Sequence, residues 1–373
     1  MTPTSPGLLL TILSFILVIG PLVFVHEMGH YLVGRLFGVK AETFSIGFGR
    51  EVAGWTDRRG TRWKVGWLPL GGYVKFKGEM VPGGDTVAPL STLPPSERVE
   101  RFDAKPAWQR FLIVLAGPLT NFIVAILIFI ALFSMTGLPT TPAVVGQTVP
   151  GGAAEKAGLQ ANDRILAIGG GRIETFAELA DTVRLRPDQP LRLTVERGGR
   201  TFDLSVTPSR SVERGQSLGT LGVVSRPMVW EKGGPAAVVK AAFRQTGDVV
   251  ETMIVYLRQI VTGARPASEM GGPLKIAELS GEQVSAGWLN FAVFAALISI
   301  NLGFMNLLPV PILDGGYLVL YAIEALRRRP VPAAVQETAL RIGLAALVML
   351  TVFVTANDLA SFGLFRNLRG LIG

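Results

Sequence analysis

Four long apolar runs set the pattern of the chain. The first, residues 7–25, reads GLLLTILSFILVIGPLVFV, with no charged residue from Met1 to Val25. The second covers Phe111–Met135. The third is the 31-residue stretch Gln283–Leu313, between Glu282 and Asp314, and the fourth is the 16-residue stretch Ile342–Asn357, between Arg341 and Asp358. About 20 apolar residues in a helix span a bilayer core, so the pattern predicts four membrane spans. The shortest can be completed by a snorkelling Arg341. A cleaved signal peptide is the rival reading of the first run. It would want Lys or Arg at its start, and the run leads straight into residues that carry chemistry.

Between the second and third runs the period changes. VVGQTV, RILAIGG, LRLTVER and TFDLSVTP, within residues 139–210, read as short strands. ETFAELADTVRL has helical spacing at Phe176, Leu179 and Val183, and Asn162-Asp163 and Gly198-Gly199 are turn signals. The stretch AAEKAGLQANDRILAIGGGRI resembles a PDZ domain over about 70 residues. Such a domain takes peptide termini or extended segments as an added strand; a ligand-free spacer is the alternative, because no Gly-Leu-Gly-Phe loop stands out. Pro235–Val261 carries a stripe of Val239, Phe243, Val250, Ile254, Leu257 and Val261, interrupted by charges. It suits a helix lying on the membrane surface, or one packed on the PDZ-like domain. After the first span, Glu51–Thr56 and Thr61–Leu68 flank Asp57-Arg58-Arg59-Gly60, a hairpin signal. Gly71–Phe76 offers a further strand edge. The fold class is therefore an α-helical multi-pass membrane protein of about four spans, with a membrane-associated β-hairpin or sheet and an inserted α+β PDZ-like domain. Its predicted parts are residues 1–136, 137–212 (PDZ-like), 213–282 (amphipathic connector) and 283–373.

Composition agrees with this division. Of 373 residues, 49% are hydrophobic and 17% charged, which argues against both an all-soluble chain and wholesale disorder. The absence of cysteine excludes disulfides and thiolate metal sites. The net charge of +8 points to anionic lipid rather than nucleic acid in so apolar a chain. Thirteen of the Lys and Arg residues fall between Arg35 and Arg110, and Arg327, Arg328, Arg329 and Arg341 follow the third run. The predicted topology puts both loops in the cytoplasm, and the termini and the PDZ-like domain on the other side.

The only two histidines stand in His26-Glu27-Met28-Gly29-His30. Residues i and i+4 share a helix face, so His26 and His30 can bind one metal, with Glu27 beside them as a base toward water. His30 lies roughly 7 Å and His26 roughly 14 Å below the level of Arg35 at 1.5 Å per residue, so the metal would sit within the bilayer. A structural His pair is the bland alternative. With no third histidine, a carboxylate must complete a hydrolytic site. Asp314 closes the third run in Asn306-Leu-Leu-Pro-Val-Pro-Ile-Leu-Asp314-Gly-Gly, where two prolines break the helix. Glu324 is the rival, although an ion pair with Arg328 explains it more simply.

HEMGH at 26–30, NLLPVPILDGG at 306–316, AGPLTNF at 116–122, GFG at 47–49 and PLGGYVK at 69–75, together with the PDZ-like stretch, resemble the site-2 protease family of intramembrane zinc metalloproteases. The likeness is closest to bacterial members with a periplasmic PDZ domain, of the regulator of sigma-E protease type. It implies that His26, His30 and Asp314 hold one Zn2+ per chain and that Glu27 is the catalytic base. It also implies a bacterial inner-membrane location and an active site near the cytoplasmic face. Its expected substrates are single-span membrane proteins such as anti-sigma factors or remnant signal peptides, cut in regulated intramembrane proteolysis. Asn306, Asn121 and Gly117 are candidates for binding substrate or the oxyanion, with helix packing the alternative for the last two. Two other functions fit parts of the pattern: a proteolytically inactive PDZ-bearing scaffold, and an ion transporter built on intramembrane His and Asp.

Overall fold

A computed structural model describes residues 7–79, 90–213, 216–264, 266 and 271–361. The first apolar run forms the front of a longer helix, α1 (Leu8–Leu36), which continues through Pro21 and carries the HEMGH residues within it. Gly38, at φ +73°, ends it in the left-handed conformation that glycine adopts without strain.

The chain then makes two long bent strands, β1 (Ala41–Thr56) and β2 (Arg62–Phe76). Asp57 builds the turn between them, its Oδ1 accepting from Arg59 N at 2.8 Å and Thr61 N at 3.0 Å. Both strands bend, so Phe44 faces Val74 on one side and Trp63 on the other, while Trp55 pairs with Trp63 further out. The expected hairpin and the expected extra edge at Gly71–Phe76 are thus parts of one sheet. The short α2 (Pro95–Arg98) leads to α3 (Ala107–Thr136), the second span.

Phe133–Val238 form one compact unit; the described parts of Met1–Leu132 and Val239–Gly373 form the other. The inserted unit contains β3 (Leu138–Thr140), β4 (Val145–Thr148), α4 (Ala153–Lys156), β5 (Arg164–Ile168), β6 (Gly171–Arg172), α5 (Phe176–Arg184), β7 (Leu191–Arg197), β8 (Arg200–Val206), β9 (Ser209–Glu213), β10 (Gln216–Thr220), β11 (Val223–Ser225) and β12 (Val229–Glu231). A four-stranded sheet runs in the order β6-β5-β7-β8. Thr175 and Glu178 form a reciprocal capping box at the start of α5, which buries Leu179 and Val183. The core gathers Val145, Ile165, Leu179, Leu193, Val195, Val206 and Leu221. The unit extends past the boundary expected at residue 212: β11 pairs with β4, β12 pairs with β3, and Leu221 is buried. Residues 209–222 are rich in Ser, Gly and charge, so their strands show little apolar alternation.

Next comes α6 (Pro235–Val261), at the limits the amphipathic pattern predicts, with Phe243, Ile254 and Val261 of its stripe exposed. Then follow α7 (Pro273–Ser285), α8 (Trp288–Leu307), α9 (Asp314–Arg327) and α10 (Ala333–Ser361). The third apolar run is therefore not one span. It holds the end of α7, a break at Gly287 (φ +114°), the helix α8, and a non-helical turn at 308–313. Apolarity alone could not reveal the break. Asp358 of α10 fixes the start of α7 by accepting from Gly272 N at 2.9 Å and Lys275 N at 3.1 Å. α10 begins well before Ile342, which puts Arg341 inside the helix, paired with Glu337 at 2.6 Å. Among the described residues four helices are long and apolar enough to cross a membrane: α1, α3, α8 and Ala334–Leu359 of α10. A core of Tyr31, Phe44, Phe76, Phe102, Ile113, Leu318 and Tyr321 binds α1, the sheet, α3 and α9 together.

Candidate metal centre

One helix supplies three of the predicted residues. His26, Glu27 and His30 lie on α1 and are buried. A separate device delivers the fourth. Pro309 and Pro311 keep residues 308–313 out of a helix, and Ile312 sits at φ +83°. That is a genuine outlier for a β-branched residue, of the kind that persists where the surroundings enforce it. Asp314 then opens α9. Gly315 is required beside it, because a Cβ there would collide with the carbonyls of Leu307 and Leu308.

The two elements bring His26, His30 and Asp314 together, with one donor atom from each lying within 4.8 Å of the others. His26 Nε2 is 3.1 Å from Asp314 Oδ2, and His30 Nε2 is 3.5 Å from Asp314 Oδ1. The two Nε2 atoms are 3.2 Å apart. His30 Nδ1 is 2.9 Å from the carbonyl of Ile113. A carbonyl only accepts, so Nδ1 carries the proton and Nε2 presents its lone pair to the cluster. Asp314 Oδ2, though buried, has no partner in hydrogen-bond geometry even with His26 near it. Two imidazoles and a carboxylate aimed at one point, with an orphaned oxygen among them, fit a divalent cation of the zinc type.

The remaining predicted residues fall around this cluster. Asn121 is fully buried on α3, its amide nitrogen 3.0 Å from His26 Nδ1 and its Oδ1 without a partner. A Cβ on Gly117 would run into the His30 ring, so that position makes room for His30. Both support the histidines and do not face open space. Asn306, in the last turn of α8, is partly exposed and makes no side-chain hydrogen bond among the described residues. Glu324, the rival ligand, stands outside the cluster. Its Oε2 pairs with Arg110 of α3 at 2.5 Å and its Oε1 accepts from Val331 N at 3.0 Å. An ion pair does explain Glu324, but Arg328 is not the partner. Arg328 sits in the left-handed conformation at the end of α9.

Two features escaped the sequence pattern. The first is how closely β2 approaches Glu27: a Cβ at Gly72 would lie 3.1 Å from Glu27 Cγ and 2.9 Å from Val23 Cγ1. The second is a groove of about 190 Å3 in the inserted unit, lined by Phe176, Leu179, Ala180 and Val183 on one side and residues 219–223 on the other. Gly222, at φ +69°, turns that loop, and Leu221-Gly222-Val223 is the sequence signal that could have marked it.

The match to peptidase family M50 extends over residues 14–350. A protein of Agrobacterium fabrum that bears the name of a zinc metalloprotease is 42% identical over 94% of this chain and 96% of its own length. The zinc metalloprotease RasP of Geobacillus kaustophilus is 32% identical over 94% of this chain and 98% of its own length. In the solved structures, 24% of the chain matches 90% of the PDZ domain of an SdrC-like protein from Listeria monocytogenes, at 15% identity and TM-score 0.21. The chain belongs to peptidase family M50, the site-2 protease family. It is a membrane protein and a zinc-dependent metalloprotease.

Proposed function

We propose that this metalloprotease cleaves the transmembrane segments of single-span membrane proteins, with His26, His30 and Asp314 as zinc ligands and Glu27 as the base. One observation carries the reading: of the three donor groups that converge, His26 and His30 stand on α1, a helix of the length and apolarity of a membrane span, and Asp314 of α9 meets them there. A hydrolytic centre within the apolar layer serves substrates that are themselves in that layer.

When bound, the zinc supplies Lewis acidity toward water and the scissile carbonyl. Glu27 takes the proton of the attacking water and returns it to the leaving amine. Asn121 holds His26. With its Oδ1 turned to Nδ1–H, the orphaned acceptor gains a donor and Nε2 keeps its lone pair for the metal. A transmembrane helix must unwind before its peptide bond can react. Residues 72–75 have a strand neighbour on one side only among the described residues, so an extended segment can pair with the free edge beside Glu27. Asn306 is free to hydrogen-bond that segment or the developing oxyanion.

The positive loops argue for a cytoplasmic sheet and for an inserted unit on the opposite, periplasmic side of a bacterial inner membrane. There the groove along α5 suits a peptide terminus or an extended segment. The exposed apolar stripe of α6 suits the membrane surface. By family resemblance the substrates are of the anti-sigma factor or remnant signal peptide type, reached after a first cut outside the membrane.

Co-expression with a tagged single-span substrate tests the reading. Glu27→Gln should abolish the cleaved product while the chain still retains zinc. Equal cleavage by both forms would remove Glu27 as the base, and absence of cleavage by the unaltered chain on any single-span substrate would overturn this substrate class.

A further inference from the structure

A second site lies where α1 leaves the membrane. A cavity of about 270 Å3 is lined by Arg35, Gly38, Val39, Lys40, Arg59 and Glu100. Three cations from separate places meet there: Arg35 from the last turn of α1, Lys40 from the link to β1, and Arg59 from the β1–β2 turn. A fourth, Lys105, brings its ammonium to 3.8 Å from the Cβ position of Gly38. Among the described residues none of these four side chains has a hydrogen bond or an ion pair. The two acids nearby make their short contacts to other groups. Glu100 lies 3.5 Å from Lys77. Asp57 accepts from Arg59 N, Thr61 N and Trp63 Nε1. Four cations thus face two carboxylates, Glu100 in the lining and Asp57, whose charge is felt by Arg35, and an excess of like charge held together in a cavity favours an anion among them.

The surroundings say which anion. Arg35 is the first basic residue after the apolar span. Beside the cavity, Leu32 is 57% exposed, Leu36 79% and Trp108 55%. Trp108 packs edge-on against Phe37 at 5.4 Å and takes the place of an interfacial tryptophan. The charged cavity thus opens at headgroup level, next to side chains that suit acyl chains. Basic pockets of this kind on the cytoplasmic side of spanning helices bind lipid phosphates.

We propose that this cavity binds the phosphate headgroup of an anionic phospholipid, which ties the β1–β2 turn to the end of α1. The site is distinct from the metal centre and does not depend on catalysis. It can therefore be measured in the full chain carrying Glu27→Gln, so that its failure and the failure of the proteolytic reading are separable.

The experiment is native mass spectrometry of that chain from vesicles of phosphatidylcholine with and without phosphatidylglycerol. The chain should retain one phosphatidylglycerol in preference to phosphatidylcholine. Arg35→Gln with Arg59→Gln should weaken retention by roughly fivefold per cation removed. Arg35→Lys with Arg59→Lys should restore most of it, which separates loss of charge from loss of fold. Arg50→Gln, on an exposed part of β1, should have no effect. Equal retention by the double Gln variant, or equal loss with Arg50→Gln, would overturn the site. So would release of the lipid by millimolar inorganic phosphate, which would identify a free-phosphate site instead.

Discussion

Histidines that bind zinc need the far ring nitrogen held by a partner, and for the two proposed ligands the partners differ. His30 uses a backbone carbonyl that no substitution removes, whereas His26 depends on Asn121. Asn121→Leu should therefore weaken zinc binding by about 10- to 100-fold, the usual cost of losing such a partner, while Asn121→Asp retains it. A competition titration with a zinc chelator reads the difference, and equal affinity in both variants would leave Asn121 a packing residue. The HEMGH motif was legible in the sequence because its geometry is local, four residues on one helix. Asp314 was legible because it ends a long uncharged run beside two prolines. The roles of Asn121 and Glu324 were not. Their partners lie 95 and 214 residues away, and no periodicity marks such a pairing.

Elements behave in the same way. The apolar runs and the strand stretches within 139–210 predicted most helices and strands, but the break at Gly287 and strands β9 and β10 left no apolar signature, and β11 and β12 are only three residues each. At the site β2 packs closely against α1. Gly72→Leu would drive a side chain into Val23 and Glu27. Cleavage should fall by about a hundredfold, as for a misplaced reacting group, with zinc content unchanged. A variant that cuts at the normal rate would detach β2 from the reaction. In the inserted unit Asp163 is buried against Arg197, with contacts of 2.6 and 2.7 Å, and it accepts from Gln160 N at 2.8 Å. Burial alone would raise its carboxyl. The guanidinium and the amide outweigh burial and hold it below the ordinary carboxylate value. A depressed carboxyl stabilises the fold above its unfolded pKa of about 3.9, and that support is lost as pH falls through the native value. Protection factors for hydrogen exchange in residues 133–238, which correct for the intrinsic pH dependence of exchange, should hence be steady from about pH 5 to 8 and fall below about pH 4. Asp163→Asn should exchange faster at neutral pH, because it leaves Arg197 without its partner, and should lose the acid step. Acid sensitivity that persists in the variant would place its origin elsewhere.

For the whole molecule, the two compact units have separate cores, and the proposed zinc ligands belong to only one of them. A metal that binds only the native state stabilises it by mass action. Chelation should raise exchange around residues 26–30 and 312–318 and leave 133–238 unchanged. Uniform loosening would mean that the units share one cooperative fold.

The turn at 308–313 has a consequence for synthesis. Two of the proposed ligands leave the ribosome long before the third, which lies on a segment that must be bent sharply before its carboxylate can arrive. On this assignment a half-made chain already threaded into the bilayer carries no working peptidase, and neighbouring proteins are safe from it until the final helices have docked.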